Sequence, residues 1–218
     1  MKRADVLKLI EEGENIHCEF KLKFSSYEKI AREICAFANT KGGYILFGVD
    51  DNKGIIGVES EKSETELILD SANKYCEPPV PVNISYMDFY GKEIVIVEVN
   101  ESNQKPHRLQ DYLTDFDINK AVVCVRVNDK SVQASKELIR LLKARTDSLE
   151  LVKYIIGNNE KIVFDYLAQN ETISVKELGA LANISDRRAS RTLVKMARAN
   201  LLLIHTKDNG EDYFTSAG

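Results

Sequence analysis

The chain has 218 residues, 44% hydrophobic and 29% charged, the proportions of an ordinary globular protein with ample length for a core. Its formal net charge of −4 excludes a surface coated in basic groups, so any nucleic-acid contact has to come from a local patch. No apolar run approaches the ~18 residues of a membrane span or resembles a signal peptide, and a cytoplasmic protein without membrane contact is expected.

Residues 2–12 carry Val6, Leu7, Leu9 and Ile10 and predict a short helix stopped by Gly13. His17 to Phe24 alternates as a strand, with Phe20, Leu22 and Phe24 on one face and Glu19, Lys21 and Lys23 on a common polar surface. Tyr27 to Asn39 places Ile30, Ile34 and Phe37 at i, i+4, i+7, a helix whose Ala31, Cys35, Ala36 and Ala38 let it lie close on a sheet. Gly42-Gly43 ends it. Tyr44 to Val49 is a near-continuous apolar run typical of a central strand, and Asp50-Asp51-Asn52-Lys53-Gly54 is a turn.

Ser63-Glu64-Thr65-Glu66 reads as a capping box for a helix that reaches Tyr75. Val82, Ile84 and Tyr86 alternate, and a turn at Tyr90-Gly91-Lys92 leads into Ile94 to Val99, which predicts a hairpin. Ala121 to Val127 is a further strand, and Ser135 caps a helix from Lys136 to Arg145. The cysteines Cys18, Cys35, Cys76 and Cys124 include no CxxC pair, and His17, His107 and His205 form no ligand-spaced cluster. Reduced thiols are expected, and zinc is not.

The pattern changes near Thr146 to Asn159. A helix over Lys161 to Gln169, a second opened by the capping box Ser174-Val175-Lys176-Glu177, and a third capped by Ser185 and running to Ala199 follow. Leu201 to Ile204, the turn Asp208-Asn209-Gly210 and Tyr213 to Thr215 make a two-stranded wing. Three helices and a wing predict a winged helix-turn-helix. On its third helix Ala189, Leu193 and Met196 form an apolar stripe, and Arg187, Arg191, Lys195 and Arg198, flanked by Arg188, form a cationic stripe about half a turn away. Such a face suits the major groove of DNA. Winged helices also dock proteins or dimerise, and that alternative stays open.

The residues Glu14-Asn15-Ile16-His17-Cys18-Glu19-Phe20-Lys21, then Ala36-Phe37-Ala38-Asn39-Thr40-Lys41-Gly42-Gly43, then Gly48-Val49-Asp50-Asp51 resemble the Schlafen AlbA-like (divergent AAA-type) domain. Lys105-Pro106-His107 and Val125-Arg126-Val127 followed by Ser131 to Glu137 also look like it, so the likeness covers roughly residues 8–145. Gly42-Gly43 lacks the Lys-Ser/Thr of a P-loop, and an ATPase is not expected.

Bacterial proteins resembling this arrangement are regarded as DNA-binding transcriptional regulators. The resemblance and the cationic face of the third helix together point to nucleic-acid binding with no cofactor, with Lys21 and Lys23 in the first domain and Arg187, Arg188, Arg191 and Lys195 on the third helix as the candidate contacts. It also implies an alternative. Some animal Schlafens are metal-dependent endoribonucleases that cut structured RNA with three carboxylates, and the matching positions are Glu14, Glu19 and Asp51, which would hold Mg²⁺ or Mn²⁺. The same acids also read as turn residues (Asp51) and as one half of a Glu19–Lys21 surface pair.

The expected fold is α+β: a mixed-sheet Schlafen AlbA-like domain over residues 1–145, then a small winged-helix domain over 150–218. A homodimer is expected, because winged-helix regulators commonly read two half-sites and one lobe resembles half of a nuclease clamp. Tyr44, Phe47, Tyr86 and Phe89 are candidate base-stacking rings or core packing, and Lys105-Pro106-His107-Arg108 a basic loop either solvated or on nucleic acid.

Overall fold

The computed structural model describes residues 1–110, 117–118, 120–146 and 154–217. They form two compact units, Met1–Gln133 and Ala134–Gly218. The expected boundary segment includes residues 147–153, which lie outside the described residues.

The first unit contains, in chain order, α1 (Arg3–Glu12), β1 (Cys18–Lys21), α2 (Tyr27–Asn39), β2 (Gly43–Phe47), α3 (Glu61–Lys74), β3 (Cys76–Glu77), β4 (Val82–Asp88), β5 (Glu93–Val99), β6 (Arg108–Leu109), β7 (Cys124–Val127) and β8 (Lys130–Gln133). Four strands make a mixed sheet in the order β1-β2-β5-β4, with β1 parallel to β2 and the other neighbours antiparallel. Alternation along β5 explains its two-sided burial. Val95, Val97 and Val99 pack with Ile30, Ile34 and Phe37 of α2 and Ile68 of α3. Ile94 and Ile96 pack with Leu46 and with Val6 and Ile10 of α1. Each such fully buried side chain contributes about 1.5–3 kcal/mol.

Gly43 is required where α2 turns into β2. A Cβ there would meet the His17 carbonyl oxygen and the Phe37 ring, both at 2.5 Å.

Local chemistry shifts several boundaries. β1 stops at Lys21, so Leu22 is 47% exposed instead of sharing an apolar face with Phe20. α3 begins one turn before the expected capping box, because Ser60 Oγ accepts from Ser63 N at 3.3 Å. The expected strand from Ala121 is shorter and folds back at Asn128 (φ 53°) into the hairpin β7–β8. The β4–β5 hairpin turns at Tyr90 (φ 57°) and Gly91 (φ 80°), the geometry of a two-residue turn.

The second unit holds α4 (Lys136–Thr146), α5 (Asn158–Leu167), α6 (Val175–Leu181), α7 (Asp186–Arg198), β9 (Leu202–Thr206) and β10 (Asp212–Ser216). Its core joins Val163, Leu178, Ala189, Leu193, Met196, Leu202 and Phe214. Ile173 exchanges backbone hydrogen bonds with Phe214 (2.9 and 2.8 Å), tying the segment before α6 to the β9–β10 ribbon. Ser135 caps α4 by accepting from Leu138 N at 3.0 Å, and α4 packs on α7, where Arg140 Nη1 donates to Ser190 Oγ at 2.7 Å. Among the described residues no helix is long and apolar enough to cross a membrane.

Candidate nucleic-acid interface

Glu14, Glu19 and Asp51 do come to one corner, at the edge of β1. Burial pushes the Glu14 carboxyl above its ordinary value. The charges of Glu19 and Asp51 push the same way, against the Phe20 amide and Lys21. Each acid nevertheless has a different occupation. Glu14 Oε1 accepts from Phe20 N at 2.9 Å. Glu19 is only 7% exposed; one of its oxygens takes the Lys21 ammonium and the other takes Arg126 Nη1 at 2.8 Å. Asp51 is exposed in the turn, where its neighbour Asp50 holds the loop by accepting from Asn52 N (2.9 Å) and Gly54 N (2.7 Å).

Arg126 is the residue that organises this corner. It is 3% exposed, lies 4.7 Å from the Phe37 ring centroid, and also reaches Glu33 Oε2 at 3.0 Å and the Asn15 carbonyl at 2.8 Å. Burial raises the Glu33 carboxyl, and Glu19 raises it further, while the Ser131 hydroxyl donates to it. One arginine thus compensates a buried carboxylate, Glu19, and a half-buried one, Glu33. The available signal was a lone arginine inside the apolar run Val123 to Val127, which needs a buried partner.

A divalent ion would require free carboxylate oxygens. Among the described residues no group of three or more His, Cys, Asp or Glu is arranged to hold one. Glu19, with both oxygens on cations, does not fit that role as folded. Lys21 is engaged by the same acid, and Lys23 is exposed.

The expected basic loop is interior. Lys105, His107 and Arg108 are 8%, 1% and 4% exposed. Asn39 Nδ2 donates to the carbonyls of His107 (2.8 Å) and Cys124 (2.9 Å), and its Oδ1 accepts from His107 N at 2.7 Å. The His107 ring is held by the Pro78 carbonyl (2.8 Å) and Ser102 Oγ (2.6 Å), and burial keeps it below the ordinary histidine range. Lys105 Nζ donates to the Thr40 carbonyl at 3.0 Å and to Glu101 at 2.5 Å. Phe47 and Phe89 are core residues, Tyr44 is half-buried with its hydroxyl 3.1 Å from Glu98, and Tyr86 is 46% exposed.

α7 is the opposite case. Ala189, Leu193 and Met196 are fully buried, as the apolar stripe predicts, and Ser190 and Val194 on the flank are buried too. Arg187, Arg188, Arg191 and Lys195 are all exposed, and among the described residues no acid pairs with any of them. Arg198, at the end of the stripe, is half-buried and has a partner. α7 thus presents, among the described residues, an unpaired row of four cations, Arg187, Arg188, Arg191 and Lys195, across two turns.

A family model described as Schlafen, AlbA_2 matches residues 14–135, more than half of the chain. The chain belongs to this family. It is 32% identical to an uncharacterized ATP-binding protein of Ureaplasma parvum, over 44% of this chain and 33% of that one. The chain therefore spans about a third of that relative's length. Among solved structures, the N-terminal domain of a RecG-related protein from Nitrosomonas europaea is 23% identical with a TM-score of 0.43, over 51% of this chain and 83% of that domain. The DIP2311 protein of Corynebacterium diphtheriae is 14% identical with a TM-score of 0.47, over 93% of this chain and 34% of that one.

Proposed function

We propose that this Schlafen AlbA_2 chain binds nucleic acid, and that it does so as a DNA-binding transcriptional regulator. In this reading the second unit is a winged helix-turn-helix. α7 enters the major groove with Arg187, Arg188, Arg191 and Lys195 on phosphates and base edges, and β9–β10 is the wing. Two copies act together on paired half-sites, and the protein works in the cytoplasm.

One observation carries the proposal: the exposed face of α7 holds four cations that no described acid neutralises. A chain of net charge −4 has acids enough to pair them, so the concentration of free positive charge on one face suits a polyanion. Arginine adds planar two-pronged contact with phosphate or guanine. ATP binding, the property named for the Ureaplasma relative, forms no part of the proposal, because Gly42-Gly43 is followed by Tyr44-Ile45 in place of Lys-Ser/Thr. The test is duplex binding by fluorescence anisotropy across a salt series. Affinity should fall with a log–log slope of about −0.9 per phosphate contacted.

A second reading has its own support. The mutual repulsion felt at Glu14 from Glu19 and Asp51 is what a divalent cation would relieve, as in a metal-dependent endoribonuclease. That reading requires Lys21 and Arg126 to release Glu19. Incubation of structured RNA with Mg²⁺ or Mn²⁺ decides it: the regulator reading expects intact RNA. Cleavage abolished by Glu14→Gln and by Asp51→Asn would establish the nuclease instead.

A further inference from the structure

We propose that the open edge of β4 is a dimerisation strand, which pairs antiparallel with β4 of a second copy of this chain and joins two four-stranded sheets into one. The inference rests on the two-copy part of the reading above and is independent of its nucleic-acid part.

The sheet ends in β1 on one side and β4 on the other. A bare edge presents a row of unpaired amides and carbonyls that invites another strand unless something satisfies it. At β1 the chain itself does so. The Cys18 amide and carbonyl exchange hydrogen bonds with Asn15 (3.3 and 3.0 Å), Arg126 Nη2 adds a donor to that carbonyl at 3.4 Å, and Glu14 takes the Phe20 amide at 2.9 Å.

At β4 the outer row is bare among the described residues. Phe89 and Lys92 exchange hydrogen bonds across the turn (2.8 and 3.2 Å). The alternation of an antiparallel ladder then aims the amides and carbonyls of Val82, Ile84, Tyr86 and Asp88 away from β5. Among the described residues none of these groups has a backbone partner on that side. The strand lacks the usual protection too: it has no lysine, no internal proline and an unbroken register with β5.

The occupant is specified by the strand's own sequence. A two-fold axis through Ser85 pairs Ile84 with Tyr86 and Val82 with Asp88, and so uses every outward group in about eight hydrogen bonds, two for each of four pairs. Each Asp88 then faces Val82, and no carboxylate meets another. Pro81, which has no amide, ends the pairing at Val82. On α3, the Thr65 hydroxyl lies 2.9 Å from that of Tyr86, and Leu69, one turn further, is 38% exposed. Apolar surface therefore lies beside the same edge, available to the second copy. Such a contact is isologous and closes as a dimer.

Sedimentation of the full chain should give twice 24.6 kDa with concentration-dependent dissociation. Tyr86→Lys, at an exposed edge position, should shift it to monomer with an unchanged circular dichroism spectrum. Ser85→Cys places two thiols at the two-fold axis. Oxidation by diamide, which takes up the two electrons and two protons, should give a covalent dimer, while Asn83→Cys, facing Met87, should not. The four native cysteines are buried and leave this readout clean. If Tyr86→Lys unfolds, the cross-link decides alone. A dimer indifferent to Tyr86→Lys and lacking the Ser85→Cys cross-link overturns the β4 pairing but leaves the two-copy reading standing. A monomer at every concentration overturns both.

Discussion

The corner at β1 and the outer face of α7 are both dense in charge, yet they are built in opposite ways. At the corner every inward charge has a partner: Glu19 has Lys21 and Arg126, Glu33 has Arg126 and Ser131, and Glu14 has a backbone amide. On α7 Arg187, Arg188, Arg191 and Lys195 face solvent, and among the described residues no acid pairs with them. Charge that is satisfied internally holds a fold together, because stripping a buried partner leaves an uncompensated ion. Charge left unsatisfied costs little at the surface and is available to a ligand. The difference supports the proposal that the first region is structural and that α7 serves recognition.

Removing the arginine should break the comparison on its structural side most severely. Arg126→Leu removes the shared cation from buried Glu19 and half-buried Glu33, leaving Glu19 with Lys21 alone, and urea denaturation should show a loss of about 3–5 kcal/mol. Asn39→Ala strands the His107 amide and two carbonyls, at a cost of about 3 kcal/mol by the same assay. An unchanged midpoint in either variant would mean that these networks are ornamental.

A pH effect follows from Glu33, whose carboxyl is raised first by burial and then by Glu19. A raised carboxyl binds its proton more tightly folded than unfolded. Its contribution to stability is therefore full below the ordinary value of 4.5 and declines as pH rises from there through the raised folded value. Glu33→Gln should flatten that part of the stability–pH curve. The smallest effect belongs to α7. Arg191→Ala with Lys195→Ala should leave stability within about 0.5 kcal/mol of the parent, since both side chains are exposed and no acid among the described residues pairs with them.

Much of the layout was legible before any coordinates. Periodicity gave α2 and α7 because their buried faces repeat locally, a capping box gave α6, and Tyr90-Gly91 announced its hairpin through turn chemistry. The resemblance implied that Glu14, Glu19 and Asp51 meet at one site. What stayed hidden was which charges were already satisfied. Glu19 meets Arg126, and Asn39 meets His107, across long stretches of chain, and no local pattern encodes such a meeting. For that reason Lys105-Pro106-His107-Arg108 reads as a basic loop, either solvated or on nucleic acid, and folds with Lys105, His107 and Arg108 buried. The strands β3 and β6, two residues each, were too short to leave a periodic signal.

The most direct test of the contrast is the salt dependence of duplex binding by the parent chain and by the Arg191→Ala, Lys195→Ala variant. With both side chains on phosphates, the slope of log affinity against log salt should become less negative by about 1.8, two contacts at about 0.9 each. Identical slopes and affinities for the two chains would contradict the assignment of recognition to α7.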